Sequence, residues 1–174
     1  MKQLQRSRSQ VFLLVLSLVG AGIAIYLTFV HYENAPLVCS ESGLINCAHV
    51  LSSSYAVVPG TFLPITIPGL GWCLVSFALA IFGLYAGAGP QQRRIYVAQF
   101  AWSLLGLLSV LYLVYVEIVR LRTICAWCTG FHVLVLLMFL VTLVQLQSQT
   151  SVLEFEPDTE GEEEATASTL PQSK

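Results

Sequence analysis

Charge is what this chain has least of. Of its 174 residues only 10% are charged, against 56% hydrophobic, where a soluble domain carries about 25% charged residues. A soluble fold of this size has no interior large enough for so much apolar surface, so the bilayer has to be the solvent for most of the chain. Lys and Arg are sparse and nowhere form a patch with interleaved aromatics, which excludes nucleic acid as a partner. Internal repeats are absent as well. The net charge is −2, and seven of the ten acidic residues crowd between Glu154 and Glu164.

What the chain does have is four long runs without charge, over residues 11–30, 66–88, 95–116 and 124–146. A helix needs about 20 apolar residues to cross the hydrocarbon. A backbone in lipid must close its own hydrogen bonds, so each run predicts a transmembrane helix. The start of the second lies among Pro64 and Pro68, which suit a loop or a first helical turn. The first run follows Lys2, Arg6 and Arg8. It is longer than the roughly 7–15-residue core of a cleaved signal, so it reads as an uncleaved signal anchor.

Orientation follows from the basic residues near the span ends. With the N-terminus in the cytoplasm, that side holds Lys2, Arg6, Arg8, Arg93 and Arg94, and the other side holds Arg120 and Arg122. The connection 31–63, which has no Lys or Arg, then lies outside. Residues 1–147 form a four-helix transmembrane catalytic domain on this reading. Residues 148–174, acidic and nearly free of apolar side chains after Phe155, read as a disordered cytoplasmic tail.

This topology gathers four of the five cysteines on one membrane face. Cys39 and Cys47 lie in the outer loop, and Cys125 and Cys128 form a C-x-x-C where the fourth helix begins. That face is oxidising, so disulfides persist there. A C-x-x-C at a helix start places both sulfurs on one side, and the unpaired N–H groups and dipole of that terminus favour a thiolate. A disulfide in so short a ring restrains little of the unfolded chain, so a plain staple is the weaker reading. Four thiolates around zinc is weaker still, given the x7 spacing and the oxidising compartment, and no metal is expected. Cys39 and Cys47 enclose a loop containing Gly43 and Asn46, flexible enough to present either sulfur. Two pairs at one face suit a relay by thiol–disulfide exchange, with a lipid-soluble quinone as the terminal acceptor.

Cys73 stands alone in the second run and reads as a packing residue. His132 follows Cys125 and Cys128 at i+7 and so shares their helix face, one turn deeper. It reads equally as a quinone ligand and as a histidine bonded between helices. Glu117 and Arg120 read as an interfacial ion pair, and His31 and His49 as ordinary loop residues.

Cys39-x7-Cys47, then Val50-x-x-Ser53-x-Tyr55-Ala56, then Cys125-Ala-Trp-Cys128 at the head of the last helix resembles the vitamin K epoxide reductase family, its bacterial members most of all. The likeness covers roughly residues 11–147. It implies an all-α membrane protein, a four-transmembrane-helix bundle with a cysteine-containing extracytoplasmic loop capping a quinone site. It implies that Ser53 is an active-site hydroxyl, that Cys128 stands beside the quinone and that Cys125 is attacked by the loop pair. His132 falls where the animal enzyme has a quinone-site tyrosine. The animal enzyme's quinone-binding asparagine has no counterpart in Ile65-Thr66-Ile67-Pro68-Gly69, which weighs against vitamin K epoxide as substrate. Many bacterial members carry a fused thioredoxin-like domain. This chain has an acidic tail in its place, so the expected partner is a separate secreted or periplasmic thioredoxin-like protein.

The expectation is therefore a multi-pass protein of the cell inner membrane. It passes electrons from that partner through Cys39, Cys47, Cys125 and Cys128 to ubiquinone or menaquinone, with Ser53 and His132 at the quinone. The rivals are an epoxide reductase of the endoplasmic reticulum and a non-enzymatic subunit with structural disulfides.

Overall fold

Four apolar runs in lipid have one way to satisfy their backbones, and the chain takes it. A computed structural model describes residues 2–33, 39, 45–58, 60–86 and 90–153. Helix α1 spans Lys2–Glu33, a single turn and a half α2 spans Cys47–Leu51, and α3 spans Thr66–Tyr85. Helix α4 spans Pro90–Tyr115 and runs on as a π-helical segment over Val116–Leu121; α5 spans Ala126–Leu153. The four long helices supply membrane spans over Ser7–Glu33, Thr66–Tyr85, Gln91–Leu121 and Ala126–Ser148. The protein is an all-α membrane bundle of four transmembrane helices.

The boundaries differ from the sequence expectation for identifiable reasons. Pro68 falls in the first turn of α3, where its missing N–H has no partner to lose. Pro90 likewise opens α4, which starts ahead of Arg93 and Arg94. The third span runs past Val116, because Glu117 is turned inward and does not end it. The turn closes at Arg122, a non-glycine residue in the left-handed region at φ 53°. The fourth helix begins at Ala126 because Ile124 is held extended in a parallel bridge with Ile45. The expected acidic tail lies outside the described residues from 154 onward, as do 87–88 of the second span and Gly43 of the loop.

Helix α1 packs against α3 and α5, and α4 packs against α5 and α3. Leu18, Phe29, Leu108 and Val144 lie exposed on the outer faces, as lipid-facing positions do. Where the helices meet, small residues let them come close. A Cβ added at Gly106 of α4 would stand 2.5 Å from the Trp72 ring of α3. The indoles of Trp72 and Trp102 each donate to the other's backbone carbonyl, at 3.1 and 3.2 Å. Cys73 is buried, with its sulfur against Gly20 of α1, as a packing residue would be.

At the end of the bundle away from the cysteines, three buried amides join α1, α4 and α5. Gln10 donates to Gln99 and to Gln145, both at 3.2 Å, and Gln99 donates back at 3.0 Å. Ser103 and Thr142 share a hydrogen bond of 2.7 Å between α4 and α5. Interhelical bonds of this kind are worth about 0.6 kcal/mol each on average in lipid. They set register more than they set stability.

Candidate functional site

The cysteine end is organised by one backbone contact. The N–H of Asn46 donates to the carbonyl of Ile124 at 3.2 Å, laying the loop segment along the residues that lead into α5. Asn46 then caps α2, its side chain accepting from the N–H of His49 at 2.9 Å. The result places Cys47, the first residue of α2, in one buried cluster with Cys125 and Val50, against Cys39, Leu121, Trp127 and Cys128. Cys47 and Cys125 are both 0% exposed. Cys39, half-buried, is bonded to Cys47 as a disulfide with their Cα atoms 6.3 Å apart, and Cys125 and Cys128 are thiols.

Cys125 immediately precedes α5 and its sulfur takes the place of an N-cap oxygen. The N–H of Cys128 donates to it at 3.3 Å. The Cys128 thiol hydrogen-bonds Cys125 as well, and this contact, with the N–H groups of Cys128 and Trp127, holds Cys125 below the ordinary thiol range. Cys125 is thus the readier thiolate of the two.

Cys128 faces the other way, into a cavity of about 910 Å³ lined by all four spans. Ala24 and Leu27 of α1, Thr66 to Val75 of α3, Trp102 to Leu113 of α4, and Phe131, His132 and Val135 of α5 line it. The walls differ. On α1 and α5, Ala24, Leu27, His132 and Val135 are buried, while on α3 and α4, Val75, Leu105, Leu108 and Tyr112 are exposed. The cavity therefore opens sideways between α3 and α4, towards lipid. Its polar groups are few. Both indole N–H groups are spent on carbonyls. Thr28 donates to Ala24, so the Thr66 hydroxyl donates to Thr28 across 2.7 Å. His132 is 8% exposed and makes no hydrogen bond to protein among the described residues. Such a chamber fits a flat, apolar ring with a few polar edges.

Cys128 and His132 share the cavity as their spacing implies, but Cys125 does not line it, and neither does Ser53. The Ser53 hydroxyl donates to the Val50 carbonyl at 2.7 Å, within the turn after α2. The expected Glu117–Arg120 ion pair is absent. Arg120 is exposed and its Nε donates to the Tyr55 hydroxyl at 3.1 Å, fastening the loop to the end of α4. Glu117 is buried instead, its carboxylate accepting from the Cys128 thiol and the Cys125 N–H. A lone acid in an apolar span was the available signal, since an ionisable group at that depth is functional by default.

A four-helix membrane bundle with two cysteine pairs at one end defines a membrane redox protein of the disulfide-handling class. The chain belongs to the vitamin K epoxide reductase family, whose model matches residues 11–143. No curated protein matches the chain.

Proposed function

We propose that the protein is a quinone-dependent thiol–disulfide oxidoreductase that supports disulfide formation outside the cytoplasm. The observation that carries this reading is the position of the two pairs. Cys47 and Cys125 share one dry cluster, while Cys128, bonded to Cys125, looks into a cavity open to lipid.

A reduced thioredoxin-like protein attacks Cys39, the more accessible sulfur of the loop disulfide, and Cys47 leaves as a thiolate. Cys47 attacks Cys125 of an oxidised inner pair and releases Cys128. Cys39, freed as the partner's disulfide closes, resolves the Cys47–Cys125 bond, which leaves the loop oxidised and the inner pair as thiols. That is the state in which the chain folds here. The inner dithiol then gives two electrons and two protons to ubiquinone or menaquinone and becomes a disulfide again. A bound quinone supplies the two-electron sink. His132, whose ring makes no hydrogen bond to protein among the described residues, donates to the oxygen that gains charge. Among the described residues no amide side chain lines the chamber, which favours a plain quinone over an epoxide. Ser53 supports the loop turn, since its hydroxyl is occupied.

The basic residues near the span ends support cytoplasmic termini, an outer cysteine loop and a cell inner membrane location. The test is direct. The full chain in lipid nanodiscs with a short-chain quinone should bleach the quinone absorbance when a reduced thioredoxin-like protein is added. Unchanged absorbance, with both cysteine pairs unreactive, would make the disulfides structural and the protein a non-enzymatic subunit.

A further inference from the structure

A buried carboxyl at the inner cysteine pair is unused by the steps above. Glu117 lies in the π-helical segment that ends α4, 6% exposed, four residues before the helix closes at Leu121. A π-helical turn shifts the side-chain register of a helix and is found often at functional sites. Here it turns Glu117 toward α5, where its carboxylate accepts from the Cys128 thiol and the Cys125 N–H. The titratable groups that face it from α5 are those two cysteines. On its own segment, Arg120 points outward to Tyr55 and leaves the carboxylate without an ion pair among the described residues. A structural carboxylate in lipid is held by a cation or a set of backbone N–H groups. This one is held by a single backbone N–H and by a thiol that has to lose its proton.

We propose that Glu117 is the catalytic base that takes the proton of Cys128. The proposal rests on the thiol–quinone reading above. Oxidation of the Cys125–Cys128 dithiol releases two electrons and two protons, and a quinone that accepts both pairs leaves as quinol. As the S–H bond of Cys128 breaks, its proton moves to the Glu117 carboxylate and the charge moves to sulfur, so the sum over the site is unchanged. The S–S bond then forms, the electron pair departs with the acceptor, and the acceptor takes the Glu117 proton and one more, from Cys125 where it is a thiol or from water where it is already a thiolate. Glu117 ends as a carboxylate, ready for the next pair of electrons.

A base in contact with a thiol leaves a signature that needs no quinone. In Cys125→Ser protein, Cys128 and Glu117 share one proton over the pH range between their two titrations. The thiolate fraction is then flat with pH, because the proton moves between the two groups and not to solvent. Alkylation of Cys128 by iodoacetamide should show that plateau. With Glu117→Gln added, the rate should fall about tenfold per pH unit throughout. With Glu117→Asp, which keeps the acid and guards against a folding defect in the amide variant, the plateau should return. In a chain with all four site cysteines, Glu117→Gln should slow single-turnover quinone reduction about a hundredfold. A plateau and a quinone rate that both survive Glu117→Gln would overturn the proposal. A plateau that Glu117→Gln removes, in protein that reduces no quinone, would sustain the base and overturn the quinone reading alone.

Discussion

The N–H of Cys128 donates to the sulfur of Cys125 across 3.3 Å, so the first thiol of the C-x-x-C caps the helix that carries the second. One sulfur is stabilised by the helix end and faces the loop. The other sits a turn inside and faces the cavity. The division of labour between the pair comes from this geometry.

It has a consequence in pH. The Cys128 thiol is the main cause of the lowered Cys125 titration, followed by the N–H groups of Cys128 and Trp127. A lowered value keeps Cys125 a thiolate as the pH falls below the ordinary thiol range. Alkylation of the Cys125 peptide, followed by mass spectrometry, should therefore persist below that range. Cys128→Ala removes the thiol donor and keeps the N–H, so the midpoint should move upward. An unmoved midpoint would assign the effect to the helix end alone.

Cys39→Ala should stop electron flow from a protein partner and spare reduction by a small dithiol. The alanine removes both the accessible sulfur and the disulfide that tethers the loop over the buried Cys125. A small thiol can then reach Cys125, whereas a bulky donor has no sulfur to attack. Parallel assays with the two donors check this, and equal loss with both would reverse the order of the relay.

His132→Leu should slow quinone reduction roughly tenfold and leave exchange between the cysteine pairs near normal. Losing one preorganised donor costs about 10²–10³ where it is a main support of developing charge. The smaller figure reflects the Cys128 thiol and backbone N–H groups at the start of α5 close by. His132→Gln, still a donor, should recover part of the loss. An unchanged rate and quinone affinity in the leucine variant would return His132 to a packing role.

Gly106→Ala should destabilise the bundle and weaken quinone binding together. The new methyl would stand 2.5 Å from a rigid indole that is itself bonded to Trp102 and lines the cavity. Overpacking of this kind costs about 1–3 kcal/mol. Thermal unfolding in detergent, with and without quinone, measures both effects. A normal melting temperature would show that α3 and α4 can separate freely.

The spans, their all-helical character and the meeting of the four cysteines were legible because each rests on a local rule. Hydropathy over a run sets a span, and helix polarity sets which end a C-x-x-C occupies. What sequence could not show is where side chains turn. Glu117 and Arg120 are three apart and suit an ion pair on a regular helix, but a π-helical turn separates them. Ser53 carries the family motif, yet its hydroxyl is consumed by a carbonyl three residues back. The amides Gln10, Gln99 and Gln145 are buried against one another between helices, a matter of tertiary partners that no run of residues encodes.

The relay itself is open to one measurement. Protein with all four site cysteines reduced is mixed with a single equivalent of quinone, quenched at intervals by alkylation, and its disulfides are mapped by mass spectrometry. The Cys125–Cys128 disulfide should form first and then give way to Cys39–Cys47, leaving the inner pair as thiols, as they are found here. A Cys39–Cys47 disulfide that forms first, or an inner disulfide that never passes to the loop, would contradict a path in which electrons reach the quinone through Cys128.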